Sequence, residues 1–185
     1  MITILTDKAT DGMGQDMYNK IANVRSDVKF FCMENMRVEP CYACRGCEEK
    51  TYRRCVIRDD ADLILPCLVR SEAIIVFTSI IFGSYSFPIK RIVDRFLLLL
   101  AKGYSYRNGE ISAGKSQGID YYVIGAYAGV DANGVDVNDI NKEETQAFKL
   151  LVTECHRICG WAGKPIIMPD DSDEYTSLMR KVLKS

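Results

Sequence analysis

Four cysteines within fifteen residues, Cys41, Cys44, Cys47 and Cys55 of the run CYACRGCEEKTYRRC, are the side chains here best suited to chemistry. Their spacing of two, two and seven intervening residues lets thiolates converge on one centre, as iron–sulfur ligation requires. Three readings fit the spacing: an iron–sulfur cluster, a zinc ion, and reduced thiols with no metal. Disulfides fit it poorly, because residues three apart on a tight loop rarely reach bridge geometry. Nothing else in the sequence points to an oxidising compartment.

A second candidate is TDKATDGMGQD, which follows the first apolar run. Its glycines Gly12 and Gly14, the hydroxyls of Thr6 and Thr10, Lys8 and the loop amides suit a phosphate at the start of a helix. Asp7, Asp11 and Asp16 oppose that charge. Gly12-x-Gly14-x-x-Met17 lacks the third glycine of the dinucleotide fingerprint, which disfavours a nicotinamide site of that type. Gly109, Gly114, Lys115 and Ser116 match a P-loop pattern, but a helix precedes them and a strand follows, the reverse of what a P-loop needs. A glycine-rich surface loop is the better reading there. His156, the one histidine, lies inside a helical pattern with no triad partner in view, and reads as an ordinary helix residue.

The elements that must position these groups alternate. Apolar runs at 2–6, 28–32, 73–77, 121–127 and 164–168 read as strands. Helical periodicity falls at about 14–24, 61–71, 88–101, 142–159 and 173–183, with Asp59 and Asp60 placed to accept from free N–H groups at the second helix start. The cysteine-rich stretch from about 40 to 58 reads as a loop, as does 103–119. Five strands alternating with five helices imply an α/β fold: a doubly wound five-stranded parallel sheet with helices on both faces. Ligands in such folds sit beyond the carboxyl ends of the strands. That places the site at 7–14, at 78–86 with Thr78 and Ser79, and at 127–133 with Tyr127.

At 185 residues, 48% hydrophobic, the chain has the length for one core, so residues 1–185 are expected to form a single domain. A formal charge of −1 argues against a nucleic-acid partner. The apolar runs IIVF and FLLLLA fall well short of the ~20 residues that cross a bilayer. The N-terminus shows no leader pattern, so a cytoplasmic location is expected. Ile89, Ile92, Val93, Phe96 and Leu100 form one apolar stripe, and Leu97, Leu98 and Leu99 widen it beyond one sheet face, which predicts a homodimer.

Taken in order, Cys41, Cys44, Cys47, Cys55, Asp59, Asp60, Phe82, Gly83, Tyr85, Ser86, Lys90, Asp94 and Arg95 resemble the flavodoxin-like NADPH-dependent FMN reductase family, and within it the iron–sulfur flavoproteins. The resemblance covers most of the chain and is specific from about 40 to 95. It implies a flavodoxin-like fold and FMN held by the three strand-end loops, with Phe82 and Tyr85 against the ring. It also implies a [4Fe–4S] cluster on the four cysteines, NAD(P)H as an electron donor, and electron exchange with a small-molecule or protein redox partner. The chain departs from the family at two places. Asp7, Lys8 and Ala9 stand where Ser-Pro-Arg is usual, and Ser79 and Ile80 stand where a proline precedes the aromatic position. FMN is therefore expected to bind more weakly than in closer-matched members. The alternative is a non-catalytic protein of this fold with zinc or free thiols at the cysteines and no flavin.

Overall fold

The chain runs through β1 (Ile2–Thr6), α1 (Asp11–Ala22), β2 (Val28–Cys32), α2 (Gly46–Glu49), α3 (Ala61–Arg70), β3 (Ala73–Ile81), β4 (Ser84–Tyr85), α4 (Phe87–Val93), β5 (Tyr104–Arg107), β6 (Glu110–Ala113), β7 (Asp120–Ala126), α5 (Asn141–Cys159), β8 (Pro165–Met168) and α6 (Ser172–Lys184). The computed structural model describes residues 1–51, 54–99, 104–113, 119–127, 141–168 and 170–184. Five strands lie in the order β2-β1-β3-β7-β8, all paired in parallel. The chain steps outward from β1 to β2, returns past β1 to β3, and then builds in the other direction. The crevice between the ends of β1 and β3 is thus the switch point of a flavodoxin-like sheet.

The sheet has a sixth strand that the sequence reading omits. β4 folds back antiparallel on the end of β3, pairing Ile80 with Tyr85 and Ile81 with Ser84. Phe82 and Gly83, with φ of 50° and 68°, form the two-residue turn between them. Two residues are too short a strand to leave a periodic signal. The stretch read as one long loop also holds structure, a β5–β6 hairpin turning at Asn108 and Gly109, both at positive φ. Asn-Gly is the dipeptide such turns favour. Gly109 therefore serves the hairpin, while Gly114, Lys115 and Ser116 lie outside the described residues. The helix expected over 88–101 is also cut short. After Val93 the chain tightens into a 3-10 turn over Asp94–Leu99.

Two apolar layers sandwich the sheet, and strand alternation explains them. On one face Leu5, Ile74, Val76, Tyr121 and Val123 pack with Ile64 and Leu68 of α3, Ile89 and Ile92 of α4, and Phe148 of α5. On the other, Ile4, Ile75, Phe77 and Ile124 pack with Met17 and Ile21 of α1 and with Leu178 and Val182 of α6. Ile89, Ile92 and Phe96 thus belong to the core. The side chains of Leu97 to Leu99, and all of Leu100, lie outside the described residues, so the surplus stripe behind the expected dimer falls there too.

Two local contacts fix the ends of the sheet. Gly14 lets α1 close on β1, since a Cβ there would lie 2.1 Å from Thr6 Cγ2. At the β8 edge, the Ile167 amide donates to Asp171 Oδ2 at 2.8 Å and the Asp171 amide donates to the Ile167 carbonyl at 2.7 Å. No helix among the described residues is long and apolar enough to cross a membrane.

Candidate functional site

The cysteine loop leaves the edge strand β2 and returns to α3, and its two halves close on one another. A Cβ at Gly46 would meet Val56 Cγ1 at 2.7 Å, so only glycine permits this approach. Ala43 and Arg45 both adopt left-handed backbone, with φ of 50° and 54°. Such conformations cost non-glycine residues about 1–2 kcal/mol each, and they curl the chain around its cysteines, with Cys44 exposed and Cys41, Cys47 and Cys55 half-buried. Cys41, Cys44, Cys47 and Cys55 line one small cavity with Tyr42, Arg45, Val56, Ile57 and Arg95. Burial pushes the Cys47 thiol up, and the neighbouring thiols of Cys55, Cys41 and Cys44 push in the same direction. Among the described residues no three His, Cys, Asp or Glu side chains converge on a single-ion position.

A buried ion pair ties this loop to the body of the protein. The Arg95 guanidinium donates to both carboxylate oxygens of Asp59, at 3.0 and 2.6 Å, and also to the Glu39 carbonyl. The two side chains are 1% and 4% exposed. Asp59 further accepts from the Glu39 amide at 2.7 Å and the Ala61 amide at 3.0 Å, so one carboxylate joins the chain before Cys41 to the start of α3. Burial opposes its charge, but the Arg95 bond and these amides together hold the Asp59 carboxyl below the ordinary carboxylate value. Asp60 binds the Arg37 amide at 2.7 Å. The acidic pair thus fastens the loop, and only Asp59 also meets the helix start. Arg95 Nε is buried with no hydrogen-bond partner. The sequence carried one sign of this arrangement: an arginine inside an apolar stripe must find a counter-charge.

At the switch point the first loop is already full of hydrogen bonds. Asp7 is 3% exposed. Its Oδ1 accepts from the Thr10 amide at 2.9 Å and the Thr10 hydroxyl at 2.7 Å, and its Oδ2 accepts from the Ser79 amide at 2.6 Å. Thr6 Oγ1 donates to Asp11 Oδ1 at 3.0 Å. Burial would raise the Asp7 pKa, but the Ser79 amide, the Ser86 hydroxyl and Thr10 together hold it below the ordinary value. Lys8 and Gly12 lie on the outside.

The second strand-end loop is more open. Phe82 is 92% exposed at the tip of the β3–β4 turn. Beside it, a Cβ on Gly83 would lie 2.7 Å from Ala147 Cβ, which fixes the turn against α5. Thr78 is buried, and its hydroxyl accepts from the Ser86 amide at 2.9 Å and donates to the Ser79 carbonyl at 3.0 Å. Tyr85 turns inward, its ring against Phe148 and its hydroxyl 3.3 Å from that of Tyr121, so it does not join Phe82. The Tyr127 hydroxyl bonds Thr145 Oγ1, and burial, with Glu144 and Asp170 adding to it, pushes its pKa up to about 12. The rest of that third loop, 128–133, lies outside the described residues.

Comparison with known proteins agrees with this geometry. No family model matches the chain. An iron–sulfur flavoprotein of Methanosarcina thermophila is 34% identical over 76 residues, 41% of this chain and 39% of that protein. An iron–sulfur flavoprotein of Methanocaldococcus jannaschii is 29% identical over 106 residues, 56% of this chain and 53% of that protein. The chain therefore spans between two fifths and just over half the length of these curated relatives. Among solved structures, a putative quinone reductase from Klebsiella pneumoniae superimposes with a TM-score of 0.64 at 12% identity, covering 100% of this chain and 83% of that one. An FMN-dependent NADH-azoreductase from Bacillus anthracis gives 0.57 at 10% identity, covering 100% and 97%. A flavodoxin from the domain Archaea gives 0.50 at 16% identity, covering 100% and 97%, so the fold is flavodoxin-like, and in sequence the chain is similar to iron–sulfur flavoproteins.

Proposed function

We propose that this chain is an FMN-dependent redox protein of the electron-transfer type, in which Cys41, Cys44, Cys47 and Cys55 hold a [4Fe–4S] cluster. The carrying observation is the cavity itself: four thiols and one buried guanidinium facing the same small space. Arg95, its charge already matched by Asp59, offers at Nε an unpartnered donor of the kind that tunes such sulfurs. Similarity to iron–sulfur flavoproteins favours the cluster over zinc.

The flavin ring would lie at the strand ends, where exposed Phe82 on its rigid turn offers a stacking face, with Ser79, Gly83 and Tyr127 around it. Flavin takes up two electrons together and releases them singly, and a cluster exchanges them one at a time, so the pair couples two-electron donors to one-electron acceptors. NAD(P)H or a reduced protein would be the donor. The chain would act in the cytoplasm as one domain over 1–185, paired as a homodimer. Its resemblance to iron–sulfur flavoproteins and its fold support the assignment.

Iron, sulfide and zinc analysis of anaerobically purified protein tests it, together with the visible spectrum. Iron and sulfide in equal amounts with a broad brown absorbance are expected, lost on Cys41→Ala or Cys55→Ala. Absence of all three elements, with four freely alkylated thiols, rules the cluster out.

A further inference from the structure

We infer that Asp7 occupies the seat that a phosphate would take at the switch point, so that the flavin site of this chain does not read the flavin's phosphate. The inference rests on the flavin reading above and concerns only what that site selects. In a flavodoxin-like sheet an anionic group beyond β1 is held by amides and hydroxyls of the first loop and by the end of β3. Here three of those donors, drawn from both walls of the crevice, already serve an internal anion. The Thr10 amide, the Thr10 hydroxyl and the Ser79 amide all donate to Asp7. The loop's other hydroxyl, Thr6, donates to Asp11.

A capping turn alone would account for the bonds between Asp7 and Thr10, three residues apart. It does not account for Ser79, which is 72 residues away on β3. That bond carries the carboxylate across the crevice and joins its two walls. A phosphate entering the same place would have to displace a buried carboxylate from three donors, and would meet its charge. The ring surface at Phe82 lies outside this plug and stays open. The site therefore takes the tricyclic ring and ribityl chain on their own merits, and riboflavin serves it as well as FMN.

Equilibrium titration of the purified protein with FMN and with riboflavin, followed by flavin fluorescence, tests this. The two dissociation constants are expected to agree within about threefold. Asp7→Ser removes the plug and should tighten FMN by about tenfold or more, the scale of a charge-assisted hydrogen bond, with riboflavin unchanged. Asp7→Asn, close to the same shape and uncharged, is the second variant should the serine protein fold poorly. A wild-type protein that prefers FMN over riboflavin by about tenfold overturns the inference, as does a variant that tightens both flavins equally. Inorganic phosphate gives a readout independent of flavin. Against chloride of matched ionic strength it should leave the wild-type melting temperature unmoved and raise that of Asp7→Ser. If neither flavin binds either protein, the flavin reading fails while the phosphate comparison still decides Asp7.

Discussion

Asp59 and Asp7 are both buried carboxylates that fix a loop, and they are held by different kinds of partner. Asp59 faces a full counter-charge, the bidentate Arg95 guanidinium, along with two backbone amides. Asp7 has only neutral donors, the amides of Thr10 and Ser79 and the hydroxyls of Thr10 and Ser86. A carboxylate matched by a guanidinium belongs to the scaffold, because removing either partner strands a charge away from water. A carboxylate held by dipoles alone sits where another anion would sit, and can be replaced by one. One loop is thus tied down by a charge pair, while the other is tied down by its own dipoles and hydroxyls.

The largest effect that would break this comparison is expected at Arg95. Arg95→Ala leaves Asp59 buried and unpaired, and should cost about 3–5 kcal/mol in urea unfolding, with loss of iron from the cysteine cavity. Asp7→Ser leaves the Ser79 amide without its acceptor and should cost only about 1–3 kcal/mol. Equal losses in the two variants would erase the distinction. Gly14→Ala sharpens it from the packing side. Its Cβ would meet Thr6 at 2.1 Å, pushing α1 off β1, for about 1–3 kcal/mol with the cysteine cavity unaffected.

Acidity gives a graded test. Both carboxylates have folded pKa values below the ordinary 3.8, so each stabilises the fold fully above that value. The contribution is lost as pH falls from 3.8 through the folded value. His156 acts in a different window. Burial lowers its pKa below 6.5, with the Gly163 carbonyl at 3.0 Å from Nδ1 partly offsetting this. The unfolded chain then takes up the proton first, and stability should decline as pH drops below 6.5 toward the folded value. His156 is the one histidine, so His156→Gln should flatten the curve above pH 5 and leave the acid limb intact. The smallest effect on stability is expected at Phe82. With 92% of its surface in water, Phe82→Ala should change unfolding by less than about 0.5 kcal/mol, yet weaken flavin binding by about tenfold.

The sheet was legible because its strands are buried on both faces and read as apolar runs, as 73–77 does. The four cysteines were legible by spacing alone. What lay beyond the sequence was direction. Asp7, Asp11 and Asp16 look alike in a polar loop, and only the reach of Asp7 to Ser79 shows which one turns inward. Asp59 and Asp60 read as helix caps, whereas their main partners are Arg95 and the Arg37 amide, joined across 36 and 23 residues. Tyr85 reads as a ring-facing aromatic, yet the turn at Phe82 and Gly83 sends it into the core beside Phe148. In each case the deciding contact is long in sequence, and local pattern carries no record of it.

The closed ring between Ile167 and Asp171 bears on how these molecules behave when crowded. β8 ends the sheet, and the outward amide and carbonyl of an end strand are a template on which a strand from another molecule adds. At Ile167 both groups are already engaged by Asp171 of the same chain. An incoming strand would have to break two short bonds before forming its first. The opposite border, β2, carries exposed Lys29 as its second residue, a charge that a stacked neighbour would have to bury. Growth of the sheet into a fibre is discouraged at both margins.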